Sequence, residues 1–142
     1  MSNATASWKD ELISIANRNQ GILRPEDVVA FAKDTSTALH GRFTWDDTEA
    51  AQRYRLDQAR DLIQVVVTVI PGTKRTYRAF VSLNEDRANR GGGYRYVVDV
   101  LNDAGRRKNL LAEALAEFDR WSEKYESLKE IVEIVKVRRK LG

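Results

Sequence analysis

A heptad repeat near the carboxyl end is the feature that most constrains this chain. Between Arg106 and Arg139 the sequence contains no Pro and no Gly. Apolar side chains recur there every seven residues in two series offset by three, which is the a and d pattern of a coiled coil. The two series are Leu111, Phe118, Tyr125 and Val132, and Ala114, Trp121, Leu128 and Val135.

The repeat predicts one unbroken helix over 106–139. At 1.5 Å per residue this helix is about 50 Å long, too long to be covered by one small domain. Two alternatives to self-association stay open: a different protein binds this helix, or the helix folds back against the sheet. If the chain does self-associate, the large aromatic side chains leave an antiparallel pairing open. We expect a homodimer or higher oligomer that associates through Leu111, Phe118, Trp121, Tyr125, Leu128, Val132 and Val135.

Composition excludes several classes of site. The chain of 142 residues has no Cys and one His, His40. Disulfides and thiolate metal sites are therefore excluded, and with a single His we expect neither His-ligated zinc nor a His-based triad. No apolar run is long enough to span a membrane, and the first residues lack the pattern of a signal peptide. We therefore expect a cytoplasmic protein with no membrane contact, no metal, no cofactor and no catalytic residues. A carboxylate-based nuclease is the least favoured alternative.

Three helices are predicted before residue 65. The first covers Ser7–Asn19, with Ser7 as its N-cap. The second opens at Pro25, a residue suited to the first helical position, and ends near Asp34. The third begins with Asp46 and Glu49 as a pair resembling a capping box.

Arg55 falls inside the apolar stripe of the third helix. A charged side chain there must be paired or must reach solvent. We expect a structural ion pair with Asp46, Asp47 or another acid.

From Gln64 onward the period changes from helix to strand. Residues 65–70 are a β-branched run, and apolar and polar residues alternate over 76–83 and 94–101. A turn separates the first two segments, and a loop over 84–93 separates the second from the third. These segments predict a three-stranded antiparallel meander. The fold class is therefore α+β, and three helices followed by a β-hairpin is the order of a winged helix-turn-helix. We expect one domain over 1–105 and the long helix over 106–142.

Positive charge is concentrated in the middle of the chain. Residues 71–108 carry nine Lys and Arg against four Asp and Glu, whereas 1–70 carry eight against ten and 109–142 seven against seven. Such asymmetry indicates a polyanion partner, although a solvated surface is the alternative. Asp86 or Asp99 could hold one of the arginines in a structural pair. The residues predicted to contact DNA phosphates are Lys74, Arg75, Arg78, Arg87, Arg90, Arg95, Arg106, Arg107 and Lys108.

A triple glycine, Gly91–Gly93, lies beside two of these arginines, Arg87 and Arg90. A Gly-rich loop with arginines could cradle a phosphate through backbone N–H groups. The loop lacks the Lys-Ser/Thr end of a P-loop, so a flexible hairpin loop is the favoured interpretation.

Several short segments resemble small phage and prophage proteins of unassigned function. They are Leu39–Asp47 (LHGRFTWDD), Ala50-Ala51, Tyr54–Leu56, Gln58–Arg60, Phe80–Leu83, Asp86-Arg87 and Gly92–Arg95. The resemblance implies a mobile-element origin and a small accessory role in the host cytoplasm, and it brings no catalytic residues. Together with the charge pattern it leads us to expect a DNA-binding accessory or regulatory protein. The alternative is a non-enzymatic structural or adaptor protein that binds a protein partner through its C-terminal helix.

Overall fold

The structure, a computed structural model, describes residues 6–46, 48–89 and 91–141. This part of the chain has the predicted α+β class, with seven α-helices, a three-stranded antiparallel sheet and a separate two-stranded ribbon. In chain order the elements are α1 (Trp8–Arg18), β1 (Ile22–Leu23), α2 (Pro25–Ala32), a 3-10 helix (Leu39–Arg42), α3 (Glu49–Val65), β2 (Val67–Val69), β3 (Thr76–Arg78), β4 (Phe80–Val81), α4 (Asn84–Arg87), β5 (Tyr94–Tyr96), α5 (Val97–Asn102), α6 (Ala104–Lys124) and α7 (Lys129–Arg139).

The first three predicted helices are present, and their capping explains where they begin. Ser7 and Asp10 form a reciprocal capping box on α1, and Pro25 is the first residue of α2. The predicted N-cap of α3 is wrong by two residues. Thr48, not Asp46, is the N-cap and accepts a hydrogen bond from the Ala51 N–H at 3.1 Å. The Asp46 carboxylate instead accepts the Thr48 N–H at 3.2 Å.

The predicted single meander is divided into two sheets. β2 pairs with β3 and β4 pairs with β5, both antiparallel, but Ala79 separates the two pairs. Its N–H donates to the Val66 carbonyl at 2.8 Å and its carbonyl accepts from the Val97 N–H at 2.7 Å. The chain therefore changes partner at this fully buried residue. β1, which was not predicted, pairs with the other edge of β5 and gives the order β1-β5-β4.

The predicted strand over 94–101 is correct only for its first three residues. From Val97 the chain is helical, because Val97 and Val100 lie three apart and both are buried on one helical face, whereas Asp99 is exposed. Burial on one helical face has overridden the β preference of this valine-rich run.

The hydrophobic core lies between α1, α2, α3 and the three-stranded sheet. In the described residues α6 contributes only Ser122 as a buried residue and α7 contributes none. The core is thus complete before α6 begins. Its largest fully buried side chains are Leu12, Leu23, Val28, Leu39, Ile63, Phe80, Leu83 and Val100.

The predicted unbroken helix over 106–139 is wrong. The helix ends at Lys124, the chain reverses over Tyr125–Leu128, and α7 folds back on α6. The Leu128 N–H donates to the Tyr125 carbonyl at 2.9 Å and closes this turn. The guanidinium of Arg138 is paired with Asp119 at 2.9 Å. The helix folds back as one alternative anticipated, but onto α6 rather than onto the sheet.

Candidate nucleic-acid interface

The β2–β3 ribbon carries the most exposed cluster of predicted site residues. Every residue from Pro71 to Arg78 is exposed. Lys74 and Arg75 lie in the turn and Arg78 lies at the end of β3, and within the described residues none of the three takes part in an ion pair. Between Asp61 and Glu85 the sequence has no acidic residue at all. These three cations are therefore available to an anionic partner.

The two faces of the ribbon differ. The Thr68 hydroxyl lies 2.9 Å from the Tyr96 hydroxyl, so the face with Thr68 and its cross-strand partner Tyr77 is directed toward β5. The opposite face presents Val67, which is 50% exposed and faces Arg78 across the ribbon, and Val69, which is 57% exposed. This exposed apolar strip beside an arginine is a candidate contact surface. The β-branched run over 65–70 predicts a strand but does not say which of its faces is exposed.

Arg95 is not available to a phosphate, and its prediction as a contact residue is wrong. Its guanidinium is buried and bidentate with Asp86, with Nε to Oδ2 at 2.7 Å and Nη2 to Oδ1 at 2.8 Å. The relative exposure is 8% for Arg95 and 2% for Asp86. A structural pair between Asp86 and an arginine is the alternative anticipated from the sequence, and the structure confirms it.

Two further predicted contact residues are already paired. Arg87 lies on α4 and reaches Glu113 of α6 at 2.6 Å. Arg106 pairs with Asp103, the N-cap of α6, at 3.0 Å. The Asp103 carboxylate also accepts the Arg106 backbone N–H, and this bond, with the adjacent guanidinium, lowers the pKa of Asp103 below its usual value of 3.8.

Arg107 and Lys108 are exposed in the first turns of α6, on a different element from the ribbon. Arg90 lies outside the described residues. Of the nine predicted contacts the structure leaves five as exposed cations without an ion pair in the described part of the chain. They are Lys74, Arg75, Arg78, Arg107 and Lys108.

The last of the three glycines, Gly93, is required by strand pairing. Gly91, Gly92 and Gly93 all have positive φ, a region that favours glycine. A Cβ at Gly93 would lie 2.4 Å from Cγ2 of Ile22, on the strand that pairs with β5. Glycine is therefore required where β1 approaches, which favours a structural role for this loop over a phosphate cradle.

His40, Trp45 and Arg55 form a packed cluster. The indole stacks on His40 with ring centroids 4.9 Å apart, and its N–H donates to the His40 carbonyl at 2.8 Å. The guanidinium carbon of Arg55 also lies over the Trp45 ring, 5.0 Å from its centroid. Its Nη1 donates to the Thr44 and Asp46 carbonyls, so the predicted pairing is made to backbone oxygen rather than to an Asp46 carboxylate. Asp47, the other named partner, lies outside the described residues.

The predicted oligomerisation residues lie on the α6–α7 hairpin and most remain uncovered. Phe118 and Val135 are half-buried. Phe118, Trp121 and Tyr125 form a row of aromatic rings with successive centroids 5.9 Å and 5.2 Å apart. The exposed members of the predicted set are Leu111, Trp121, Tyr125, Leu128 and Val132.

Comparison with models of protein families, with curated proteins and with solved structures gives no match. Among the residues that the structure describes, no helix is long and apolar enough to cross a membrane. In the same residues no group of three or more His, Asp and Glu side chains is placed to hold a metal ion.

Proposed function

We propose that this protein is a non-enzymatic DNA-binding accessory or regulatory protein of the phage or prophage type. The observation that carries the proposal is the cluster of three exposed cations, Lys74, Arg75 and Arg78, on a ribbon with no acidic residue nearby in sequence. Lys and Arg are the side chains that neutralise phosphates and release counterions.

The ribbon has a shape suited to DNA. The major groove of B-DNA, about 12 Å wide, admits a two-stranded β-ribbon. In chain order three helices precede the ribbon, as in a winged helix-turn-helix, and the ribbon takes the place of the wing. The exposed residues of α3 include Glu49, Asp57 and Asp61 beside Arg53 and Arg60, and Asp57 pairs with Arg60 at 3.0 Å. The helix therefore has no excess of positive charge, and we assign no groove contact to it.

The contacts are chiefly to the backbone of the DNA. Lys74 and Arg75 lie in a turn, where long side chains reach phosphates without a fixed orientation toward base edges. Arg107 and Lys108 supply a second group of contacts at the start of α6. Binding through such groups is largely independent of sequence and strongly dependent on salt.

A salt-dependent titration tests the proposal. Fluorescence anisotropy with short duplexes of unrelated sequence gives the slope of log affinity against log salt for the wild type. Replacing Lys74, Arg75 and Arg78 by Ala removes three phosphate contacts, so the slope should flatten by roughly 2.7, at about 0.9 per phosphate. Affinity for all sequences should fall together.

The matched control is Lys33→Ala with Arg139→Ala and Lys140→Ala. These residues are also exposed and the control loses the same charge, but none lies on the ribbon. It should keep nearly the wild-type slope. Equal effects of the two triple variants, or no binding by the wild type at low salt, would overturn the proposal.

An adaptor protein is the second candidate, and the exposed apolar surface of the α6–α7 hairpin favours it. Contiguous exposed apolar side chains rimmed by charges mark protein–protein interaction sites. If the wild type shows no affinity for DNA, this surface becomes the leading candidate for function.

A further inference from the structure

The α6–α7 hairpin leaves several of its own apolar residues exposed. In the described residues α7 has no buried side chain. The relative exposure is 46% for Trp121, 43% for Tyr125, 51% for Leu128 and 42% for Val132. α7 has 11 residues, and isolated helices shorter than about 12–15 residues are marginal in water. α7 is therefore held weakly by its contacts with α6.

The turn between the two helices is poorly specified by its sequence. Tyr125–Leu128 contains neither Gly nor Pro, and none of these four residues has a positive φ. Leu128 is the N-cap of α7 and makes no side-chain capping bond. Helix reversals usually use Gly at the end of the first helix and Ser, Thr, Asn or Asp at the start of the second. All four residues can adopt helical backbone angles.

The heptad repeat crosses this turn without a change of phase. Phe118, Tyr125 and Val132 are seven apart, and the second series, offset by three, crosses the turn at Leu128. If Tyr125–Leu128 becomes helical, α6 and α7 join into one helix over 104–139 with a continuous seam. Tyr125 and Leu128, which stand at the turn of the hairpin, then lie in the middle of that seam.

We propose that two copies of this chain exchange α7. In each copy the turn straightens, and the two long helices pair antiparallel so that α7 of one chain lies on α6 of the other. The contacts between α6 and α7, including the pair between Arg138 and Asp119, re-form between the chains. Domain swapping of this kind is a low-cost route to a dimer because it reuses contacts that already exist.

Charge selects the antiparallel orientation. Residues 109–127 carry five Asp and Glu against two Lys and Arg, and 128–142 carry five Lys and Arg against two Glu. Antiparallel pairing brings these opposite charges together, whereas parallel pairing brings like charges together. In the register set by Arg138 and Asp119, Tyr125 lies opposite Val132, so a large side chain meets a smaller β-branched one.

Lys129→Pro separates the hairpin from the continuous helix. Lys129 is the first residue of α7, where Pro is favoured, and Leu128 before it has φ −87 and ψ 123, as a residue before Pro prefers. In the continuous helix position 129 is interior, where Pro removes a hydrogen bond and clashes with the carbonyl of Tyr125. Sedimentation equilibrium should show a wild-type dimer that Lys129→Pro weakens by about a hundredfold or more.

Lys129→Ala is the matched control, because it removes the same side chain and favours a helix. It should dimerise at least as tightly as the wild type. A wild type that stays monomeric at high concentration would overturn the exchange. So would a Lys129→Pro dimer as tight as that of the control.

A distance measurement gives an answer even if Lys129→Pro does not fold. The chain has no Cys. The substitution Arg139→Cys, at the exposed end of α7, therefore introduces a single site for a spin label. The antiparallel exchange places the two labels about 30 Å apart, at 1.5 Å per residue from the centre of the pair. A separation near the interaxial distance of about 10 Å would mean parallel helices and would overturn the proposal.

Discussion

The bidentate pair between Arg95 and Asp86 shows why a basic residue in the sequence is not by itself a contact residue. Both side chains are buried, and two short hydrogen bonds satisfy the carboxylate. Removing one member leaves the other buried and unpaired, so its desolvation is no longer compensated. The pair therefore joins α4 to β5 and is a structural element of the sheet.

Asp86→Ala should lower the free energy of unfolding by about 3–5 kcal/mol, the range for breaking a buried ion pair by removing one partner. Urea denaturation measures this change. Lys136→Ala is the control, since the pair of Lys136 with Glu133 is exposed on both sides, and it should cost about 1 kcal/mol or less. Similar losses of unfolding free energy in the two variants would show that the buried pair stabilises the fold no more than an exposed one.

Local capping signals predicted the first helices well because the interactions involved are only three or four residues apart. Ser7 with Asp10, and Pro25 at the first position of α2, are examples. The failures are elements decided by distant packing. α5 has the composition of a strand but is helical because Val97 and Val100 share a buried face. The turn at Tyr125–Leu128 contains neither Gly nor Pro, so no local signal marks the end of the helix there.

The N-cap of α6 gives a prediction about the stability of the fold at low pH. Asp103 caps the helix in its ionised form, and its pKa is lowered by the Arg106 N–H and guanidinium. A lowered pKa means that the ionised carboxylate stabilises the fold above 3.8 and that this contribution is lost as the pH falls through the lower, folded value.

Asp103→Asn keeps a capping acceptor but loses the charge. The wild type should therefore be more stable than this variant at neutral pH, and the difference should disappear in strong acid. Asp103→Ala, which loses the cap as well, should be the least stable of the three at neutral pH. Urea denaturation at a series of pH values measures these differences. A wild-type advantage over Asp103→Asn that persists unchanged in strong acid would contradict this assignment.

Across the whole molecule, counting charges located the ribbon cations but could not identify the paired ones. Lys74, Arg75 and Arg78 stand out because no acid lies nearby in sequence. By contrast, Arg87 finds Glu113 on α6, 26 residues further along the chain. Which acid reaches which arginine depends on the tertiary fold, and that information is not in the local sequence.

The distribution of buried residues divides the molecule into a core and a C-terminal arm. The largest fully buried side chains lie between Leu12 and Val100. α7, with no buried residue in the described part, is joined to the rest through α6 and the pair of Arg138 with Asp119. The core should therefore fold without α7.

A chain that ends at Lys124 tests this division. In a Trp121→Phe background, Trp8 and Trp45 report on the core, since both pack against it. Urea unfolding followed by their fluorescence should give a free energy within about 0.5 kcal/mol of the full-length Trp121→Phe chain, as for changes away from the core. Both chains are compared at a concentration where the full-length chain is monomeric, because dimerisation adds stability by mass action. A marked loss of core stability on truncation would mean that α7 and the core fold as one cooperative unit.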